Sequence, residues 1–231
     1  FSKDYNKVKN DPDAQTYDYL DFLNGTVVVK DKAVNTFYSY KFIGLSPLSG
    51  GPVFDDYEER QHELDGLSKY ETFKKVLTAS GRREPYMSGN LTTNLSYKNI
   101  RLSGTFAYSL GAKVRLFQMY RSELIAPESN LRRELLDRWQ NPGDEKHTNI
   151  PAVIGRYEPY YFTYNEHWSQ TSYYNVQPFA SSLWNMYDYS DLRVVSGNYL
   201  KCNNLMVTYE FGERILSQLR MTRLALSLSG T

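Results

Sequence analysis

The three histidines, His62, His147 and His167, are the side chains of this 231-residue sequence best suited to metal binding or proton transfer. They lie in polar, loop-like segments and at no spacing that is typical of metal ligands. The sequence also has no glycine-rich phosphate loop after a strand and no Gly-x-Ser-x-Gly segment. We therefore expect no metal centre, and we interpret the histidines as surface residues.

Paired carboxylates could supply the acid and the base of a glycosidase. The pairs Asp55-Asp56 and Glu58-Glu59 are adjacent on an acidic loop, which is more typical of a solvated surface. Asp144-Glu145 lacks the series of ligands that a calcium loop needs. The sequence thus predicts no catalytic residue and no cofactor. Two carboxyl groups about 5 to 10 Å apart in a cleft would revive the glycosidase hypothesis.

Aromatic side chains are the abundant group with a binding chemistry, because 21 Tyr, 11 Phe and 3 Trp make up 15% of the chain. Exposed rings can stack on sugars or contact a partner protein, whereas buried rings pack together and order a loop. The sequence leaves both alternatives open. The candidate ligand-contact or partner-contact aromatics are Tyr38, Tyr40, Phe42, Trp139, Tyr157, Tyr160, Tyr161, Trp168, Tyr173 and Trp184.

Two runs of strict alternation between apolar and polar residues, joined by a tight turn, predict a β-hairpin over 89–110. Each arm has about 10 residues, which at roughly 3.3 Å per residue is the length of a tilted strand that crosses a bilayer. Shorter alternating runs predict strands over 34–45, 204–211 and 223–229. We therefore predict an all-β chain that forms part of an antiparallel transmembrane β-barrel.

The connections between these strands are long at 46–87 and 111–191 and short at 98–99 and 212–220. A connection of about 80 residues is unusual in a compact soluble domain, where loops of about 6 residues are typical. Outer-membrane barrels alternate long outer loops with short periplasmic turns. We therefore predict that 46–87 and 111–191 are extracellular loops with short helices, and that residues 1–231 form one barrel segment.

The alternation also predicts which side chains face lipid and which face the interior of the barrel. The predicted lipid-facing residues are Leu91, Leu95, Leu102, Phe106, Leu224 and Leu226. The predicted lumen-facing residues are Asn90, Asn94, Arg101, Ser103, Arg223 and Ser227. The net charge of +1 gives no strong field for nucleic acid, which we exclude as a partner.

Several strings, in their order and spacing, resemble the carboxy-terminal part of the barrel of the SusC/RagA family, which comprises TonB-dependent outer-membrane nutrient transporters. The resemblance covers most of the chain from about residue 25 onward. The strings that carry it are 37–45, 51–54, 88–111, 138–139, 142–145, 150–152, 190–197, 199–204 and 224–230.

The resemblance implies a barrel of about 22 strands around a plug domain in the outer membrane of a Gram-negative cell. It further implies import of glycans or peptides with a SusD-like surface lipoprotein, energised by TonB through the plug. The sequence shows no plug, no TonB box and none of the family's last strands, so we expect an internal segment of a longer protein. A soluble β-sandwich carbohydrate-binding module, with the same aromatics as its platform, is the alternative.

Overall fold

The computed structural model describes residues 2–3, 7–9, 17–119, 130–154 and 183–230. The chain forms two compact units. We call the first the sheet unit, which comprises Phe1–Tyr5, Glu84–Ala112 and Ser196–Thr231. The second, the core unit, comprises Asn6–Arg83 and Lys113–Val195.

Most of the regular elements are β-strands, and the strands named below pair in antiparallel fashion. The strands are β1 (Ser2–Lys3), β2 (Thr36–Ser39), β3 (Phe42–Leu45), β4 (Pro52–Phe54), β5 (Thr78–Arg82), β6 (Met87–Tyr97), β7 (Ile100–Leu110), β8 (Lys113–Arg115), β9 (Val194–Ser196), β10 (Tyr199–Glu210) and β11 (Ala225–Gly230). The α-helices are α1 (Tyr19–Asn24), α2 (Lys69–Val76), α3 (Leu183–Asp188) and α4 (Glu213–Leu219).

The sheet unit is one five-stranded sheet with the strand order β1-β6-β7-β10-β11. Strands β6 and β7 form the predicted hairpin, with Tyr97 opposite Ile100 at the turn and Met87 opposite Leu110 at the far end. The alternating side chains on each strand therefore fall on two opposite faces of the sheet. This confirms the hairpin that the sequence predicts over 89–110.

The segment predicted as a short link over 212–220 contains α4, which joins β10 to β11. Arg220 caps the helix after Leu219; its backbone is left-handed with φ 55°, and its N–H donates to the carbonyls of Leu216 and Ser217. The last strand, β11, begins two residues after the predicted start at 223.

The core unit is built from short elements around a cluster of buried side chains. Helix α1 begins at a capping box made by Asp18 and Asp21, and α2 begins at another made by Ser68 and Glu71. The largest completely buried side chains of the cluster include Phe22, Tyr38, Tyr40, Phe54, Phe73, Tyr187 and Met186.

The strand predicted over 34–45 is two separate strands in the structure. They are β2, which pairs with β5, and β3, which pairs with β4. All four residues of β2 are buried, so both of its faces contact other parts of the core unit. The predicted loop ranges 46–87 and 111–191 lie largely in this same unit.

None of the helices in the described ranges is both long and apolar enough to cross a membrane.

Candidate functional site: a sheet with one apolar and one polar face

Rows of apolar side chains run across the sheet at right angles to its strands. Leu95 lies opposite Leu102, which lies opposite Val207, and Val207 lies opposite Leu228. The next row towards the turn consists of Tyr97, Ile100, Tyr209 and Leu226. We call this side of the sheet the apolar face.

Most of the large side chains of the apolar face are exposed, and Leu102 and Phe106 on the central strand β7 are half-buried. Leu91 and Leu95 are each 60% exposed, Leu226 is 58% exposed and Leu228 is 70% exposed. A water-soluble monomer rarely exposes a continuous apolar area of this kind, because each buried apolar side chain adds about 1.5 to 3 kcal/mol to stability. The apolar face therefore suits an apolar environment outside the chain.

A β-bulge in β10 keeps the apolar residues of that strand on one face. Before the bulge, Cys202 lies opposite Phe106, and after it Asn204 lies opposite Thr105, so Asn203 has no counterpart on β7. The apolar positions change from even numbers, such as Leu200, to odd numbers, such as Leu205, at this point. The extra residue absorbs the change of phase, since a one-residue shift turns every following side chain to the other face.

The opposite side of the sheet, which we call the polar face, carries hydroxyl, amide and charged groups. Thr208 and Ser227 lie opposite each other, and their hydroxyl oxygens are 2.9 Å apart. Glu210 accepts a hydrogen bond of 3.0 Å from Arg223 Nη2, and Arg101 Nη2 lies 3.5 Å from the same carboxylate oxygen. This face can interact with water or with polar solutes.

The two sets of residues that the alternation predicts for lipid and for the lumen therefore lie on different faces. In the register of the strands, Leu91, Leu95, Leu102, Phe106 and Leu226 share the apolar face. Asn90, Asn94, Arg101, Ser103 and Ser227 share the polar face, with Arg223 bonded to Glu210 beside them. Leu224 precedes β11, and its carbonyl accepts from the Phe211 N–H. The environment of each face stays a prediction.

Gly104 is a position near the middle of the apolar face that has no side chain. Gly104 lies between Thr93 and Leu205 in the register, and an added Cβ would meet the Phe106 ring at 3.1 Å and Leu205 Cδ1 at 3.3 Å. The ring of Phe106 thus leans over the glycine and fills the gap that it leaves.

Four of the candidate contact aromatics are buried in the core unit. The exposed fractions are 2% for Tyr38, 1% for Tyr40, 8% for Trp139 and 2% for Trp184. A ring that is covered on both sides packs against its own chain, so their burial favours the packing alternative over ligand contact.

Phe42 is partly buried and lies 6.1 Å from the ring of Phe54 and 6.2 Å from the ring of Tyr187, edge to face in both pairs. The remaining candidates, Tyr157, Tyr160, Tyr161, Trp168 and Tyr173, lie outside the described residues.

A group of buried charges in the core unit was not foreseen from the sequence. Asp188 accepts a hydrogen bond of 2.9 Å from the Met119 N–H, and its carboxylate lies 3.8 Å from Arg193 Nε. Both side chains are buried. Burial raises the pKa of Asp188 to about 6, because loss of hydration outweighs the attraction of Arg193.

Arg115 lies near the same group and links β8 to β2. Its Nη2 donates to the Tyr38 carbonyl at 2.7 Å and to Ser39 Oγ at 2.9 Å, and its guanidinium lies over the Tyr189 ring. Burial lowers the pKa of Arg115 to about 10. These contacts hold parts of the unit together that are distant in sequence, so we assign them a structural role.

The described ranges contain no group of three or more His, Cys, Asp or Glu side chains placed to hold a metal ion. His62 and His147 are exposed, and His167 lies outside the described residues.

No protein-family model matches the chain, and no curated protein matches it significantly. Among solved structures, the chain is similar to the RagAB peptide transporter, with a TM-score of 0.49 and 16% identity over 87% of this chain. It is also similar to the RagAB peptide importer in the "open-open" state, with a TM-score of 0.47 and 15% identity over 85% of this chain. For the "closed-closed" state the TM-score is 0.48, with 16% identity over 88% of this chain. The chain spans 19 to 20% of the length of these transporter chains.

Proposed function

We propose that this chain forms part of the wall of an outer-membrane β-barrel that imports glycans or peptides. In this proposal the apolar face of the sheet unit contacts lipid, and the polar face lines the interior of the barrel. The observation that carries the proposal is the continuous, exposed apolar face that crosses β6, β7, β10 and β11.

The dimensions of the strands support a membrane location. Strands β6 and β7 have 11 residues each and β10 has 12. Tilted strands of about 9 to 11 residues are long enough to cross the hydrocarbon core of a bilayer. A soluble sheet needs no such length, since strands of about 5 or 6 residues are usual there.

The aromatic residues at the turn end of the apolar face also support this location. Tyr97 and Tyr209 occupy the last apolar row before the turn, and the rings of Tyr209 and Phe211 pack edge to face at 5.0 Å. Tyrosine is favoured at the boundary between lipid and water because its ring is apolar and its hydroxyl is polar. The row of rings would mark that boundary.

The resemblance to the SusC/RagA family extends the proposal to the partners. On that basis, a SusD-like surface lipoprotein delivers the cargo, and TonB supplies energy through the plug domain of the transporter. The two predicted outer loops, 46–87 and 111–191, would lie on the outer surface of the cell.

A pair of arginine substitutions tests which face meets lipid. Leu91→Arg and Asn90→Arg change neighbouring, exposed side chains near the middle of β6, on opposite faces. Arginine on a lipid face costs about 2 to 4 kcal/mol near the middle of the bilayer, whereas a lumen position tolerates it. We expect Leu91→Arg to prevent recovery of the protein from the membrane fraction and Asn90→Arg to leave it unchanged.

A second pair of arginine substitutions, on the neighbouring strand β7, repeats the test. We expect Leu102→Arg to impair assembly and Ser103→Arg to be tolerated. Both residues are half-buried and lie on opposite faces of β7. Equal recovery of all four variants would contradict a lipid-facing sheet and would favour a soluble protein.

The alternative of a soluble β-sandwich requires the apolar face to lie beneath a second sheet. The leucines of this face are 58 to 70% exposed at positions 91, 95, 226 and 228, which is the opposite of an inter-sheet core. The membrane proposal therefore fits the described side chains better than the sandwich does.

A further inference from the structure

A groove lies at the turn end of the sheet unit, where the β6–β7 turn meets the segment that leads into α4. Its volume is about 450 Å³, and its lining includes Tyr97, Lys98, Ile100, Tyr209, Glu213 and Arg214. Three of these residues, Tyr97, Ile100 and Tyr209, also belong to the last row of the apolar face. The groove is therefore continuous with that face.

Two hydrogen bonds between Asn99 and Glu210 hold the β6–β7 turn in place beside the groove. The Glu210 N–H donates to the Asn99 carbonyl at 2.8 Å, and Asn99 Nδ2 donates to the Glu210 carbonyl at 2.6 Å. These two bonds join the turn to the end of β10, so the groove lies beside a fixed turn.

The charge at this end of the sheet is positive. Segments 97–101 and 209–223 contain five cations, namely Lys98, Arg101, Arg214, Arg220 and Arg223, against the two carboxylates Glu210 and Glu213. Arg101 and Arg223 both pair with Glu210. Lys98 and Arg214, which line the groove, have no ion-pair partner within the part of the chain that the structure describes.

Exposed cations beside an apolar, ring-lined surface match the two parts of a charged lipid. Lysine and arginine near a membrane surface attract anionic headgroups, while the acyl chains require an apolar surface next to them. We propose that this groove binds the headgroup of an anionic phospholipid whose acyl chains lie along the apolar face. The inference rests on the proposed membrane location and adds a lipid partner to it.

Within the groove, Lys98 and Arg214 contact the phosphate, and the rings of Tyr97 and Tyr209 contact the first carbons of the acyl chains. Glu213 is the one carboxylate of the lining, and it disfavours any ligand with a second negative group on that side. A lipid with one phosphate and a neutral polar headgroup, such as phosphatidylglycerol, meets these conditions.

The test measures how much phosphatidylglycerol stays bound to the protein. The full-length protein is reconstituted into phosphatidylcholine nanodiscs with and without phosphatidylglycerol and is then extracted in mild detergent. Native mass spectrometry measures how much lipid stays bound to it. Each cation near the surface contributes about a five-fold preference, so Lys98→Gln with Arg214→Gln should lower retention of the anionic lipid about thirty-fold at low salt. The matched control is Lys32→Gln with Arg133→Gln, which removes two exposed cations from the core unit and should leave retention unchanged.

Equal retention by the double variant and by the wild type would overturn the proposal. Displacement of the lipid by inorganic phosphate, at an ionic strength where chloride has no effect, would also overturn it, because the groove would then be a site for free phosphate. A protein that enters nanodiscs but shows no preference for phosphatidylglycerol would contradict this inference alone. A protein that never enters nanodiscs would contradict the proposed function itself.

Discussion

Gly50 is a residue whose missing side chain shapes the core unit. Its backbone is left-handed, with φ +67°, and an added Cβ would overlap the indole ring of Trp139. The Gly50 carbonyl accepts from the Ala152 N–H at 3.0 Å, so the backbone here is fixed by a distant segment. Only glycine fits this position without strain.

Replacement of Gly50 by alanine should therefore lower the free energy of unfolding of the core unit by about 2 to 4 kcal/mol, from left-handed strain and overpacking together. Urea unfolding followed by tryptophan fluorescence measures the change, because Trp139 and Trp184 are both buried in this unit. Gly66→Ala is the control: Gly66 has φ +72° but open space around it, so only about 1 kcal/mol should be lost. Equal losses in the two variants would show that the indole contact does not matter.

Asp188 should make the stability of the core unit depend on pH. Its pKa is raised from 3.8 to about 6 in the folded state, so the folded state holds the proton more tightly than the unfolded chain does. Protonation of Asp188 therefore stabilises the folded state. This stabilisation is at most roughly 3 kcal/mol, is fully present below about pH 4 and is lost as pH rises through about 6.

The variant Asp188→Asn isolates this effect, since it keeps the oxygen that accepts the Met119 N–H and removes the titration. As pH rises from 4 to 7, the free energy of unfolding of the wild type should fall relative to that of the variant. Exposed carboxyls with lowered pKa values, such as Glu63 and Glu134, act in the opposite direction in both proteins and cancel in the difference. A difference for Asp188→Asn that stays constant with pH would contradict the assignment.

Among the elements, β10 shows how one extra residue maintains a face over twelve positions. Deletion of Asn203 would place Cys202 directly before Asn204, and these two residues already pair with the consecutive residues Phe106 and Thr105. The strand would then alternate without a break, so Leu200 and Leu205 would keep the apolar face and Lys201 the polar face.

We therefore expect the Asn203 deletion to assemble in membranes as the wild type does, and Asn203→Ala, which keeps the number of residues, to do the same. Detergent extraction and immunoblotting of the membrane fraction measure both. Loss of the deletion variant alone would mean that assembly requires the bulge itself and not only the alternation of the two faces.

The strands of the sheet unit could be predicted because their alternation is a local property of the sequence. The predicted strand over 204–211 omitted residues 199–203, since the change of phase at Asn203 hides the first half of β10 from a search for strict alternation. Two alternating runs with opposite phase on either side of Asn203 and Asn204 were the signal for a bulge.

The short elements of the core unit could not be predicted in the same way. Strand β2 is buried on both faces, so it has no alternation, and its partner β5 lies about forty residues away along the chain. The pairing of Asp188 with Arg193 and the burial of Tyr38 and Tyr40 likewise depend on which distant segments meet. Their positions follow from tertiary packing, which a single sequence does not reveal.

For the whole molecule, the exposed apolar face predicts how the protein behaves in solution. In plain buffer these faces should associate with one another, because association removes apolar surface from water. We expect size-exclusion chromatography to give large aggregates without detergent and one narrow peak in a non-ionic detergent. A single narrow peak in plain buffer would contradict the membrane proposal and favour the soluble module.

The glycine beneath the Phe106 ring has a consequence for the smoothness of this surface. Because Gly104 offers no side chain, the Phe106 ring and the Leu205 side chain occupy the space that a Cβ would take. An alanine there would lift the ring by a few tenths of an ångström and leave a ridge. A position without a side chain thus decides how closely a neighbouring molecule can approach this part of the apolar face.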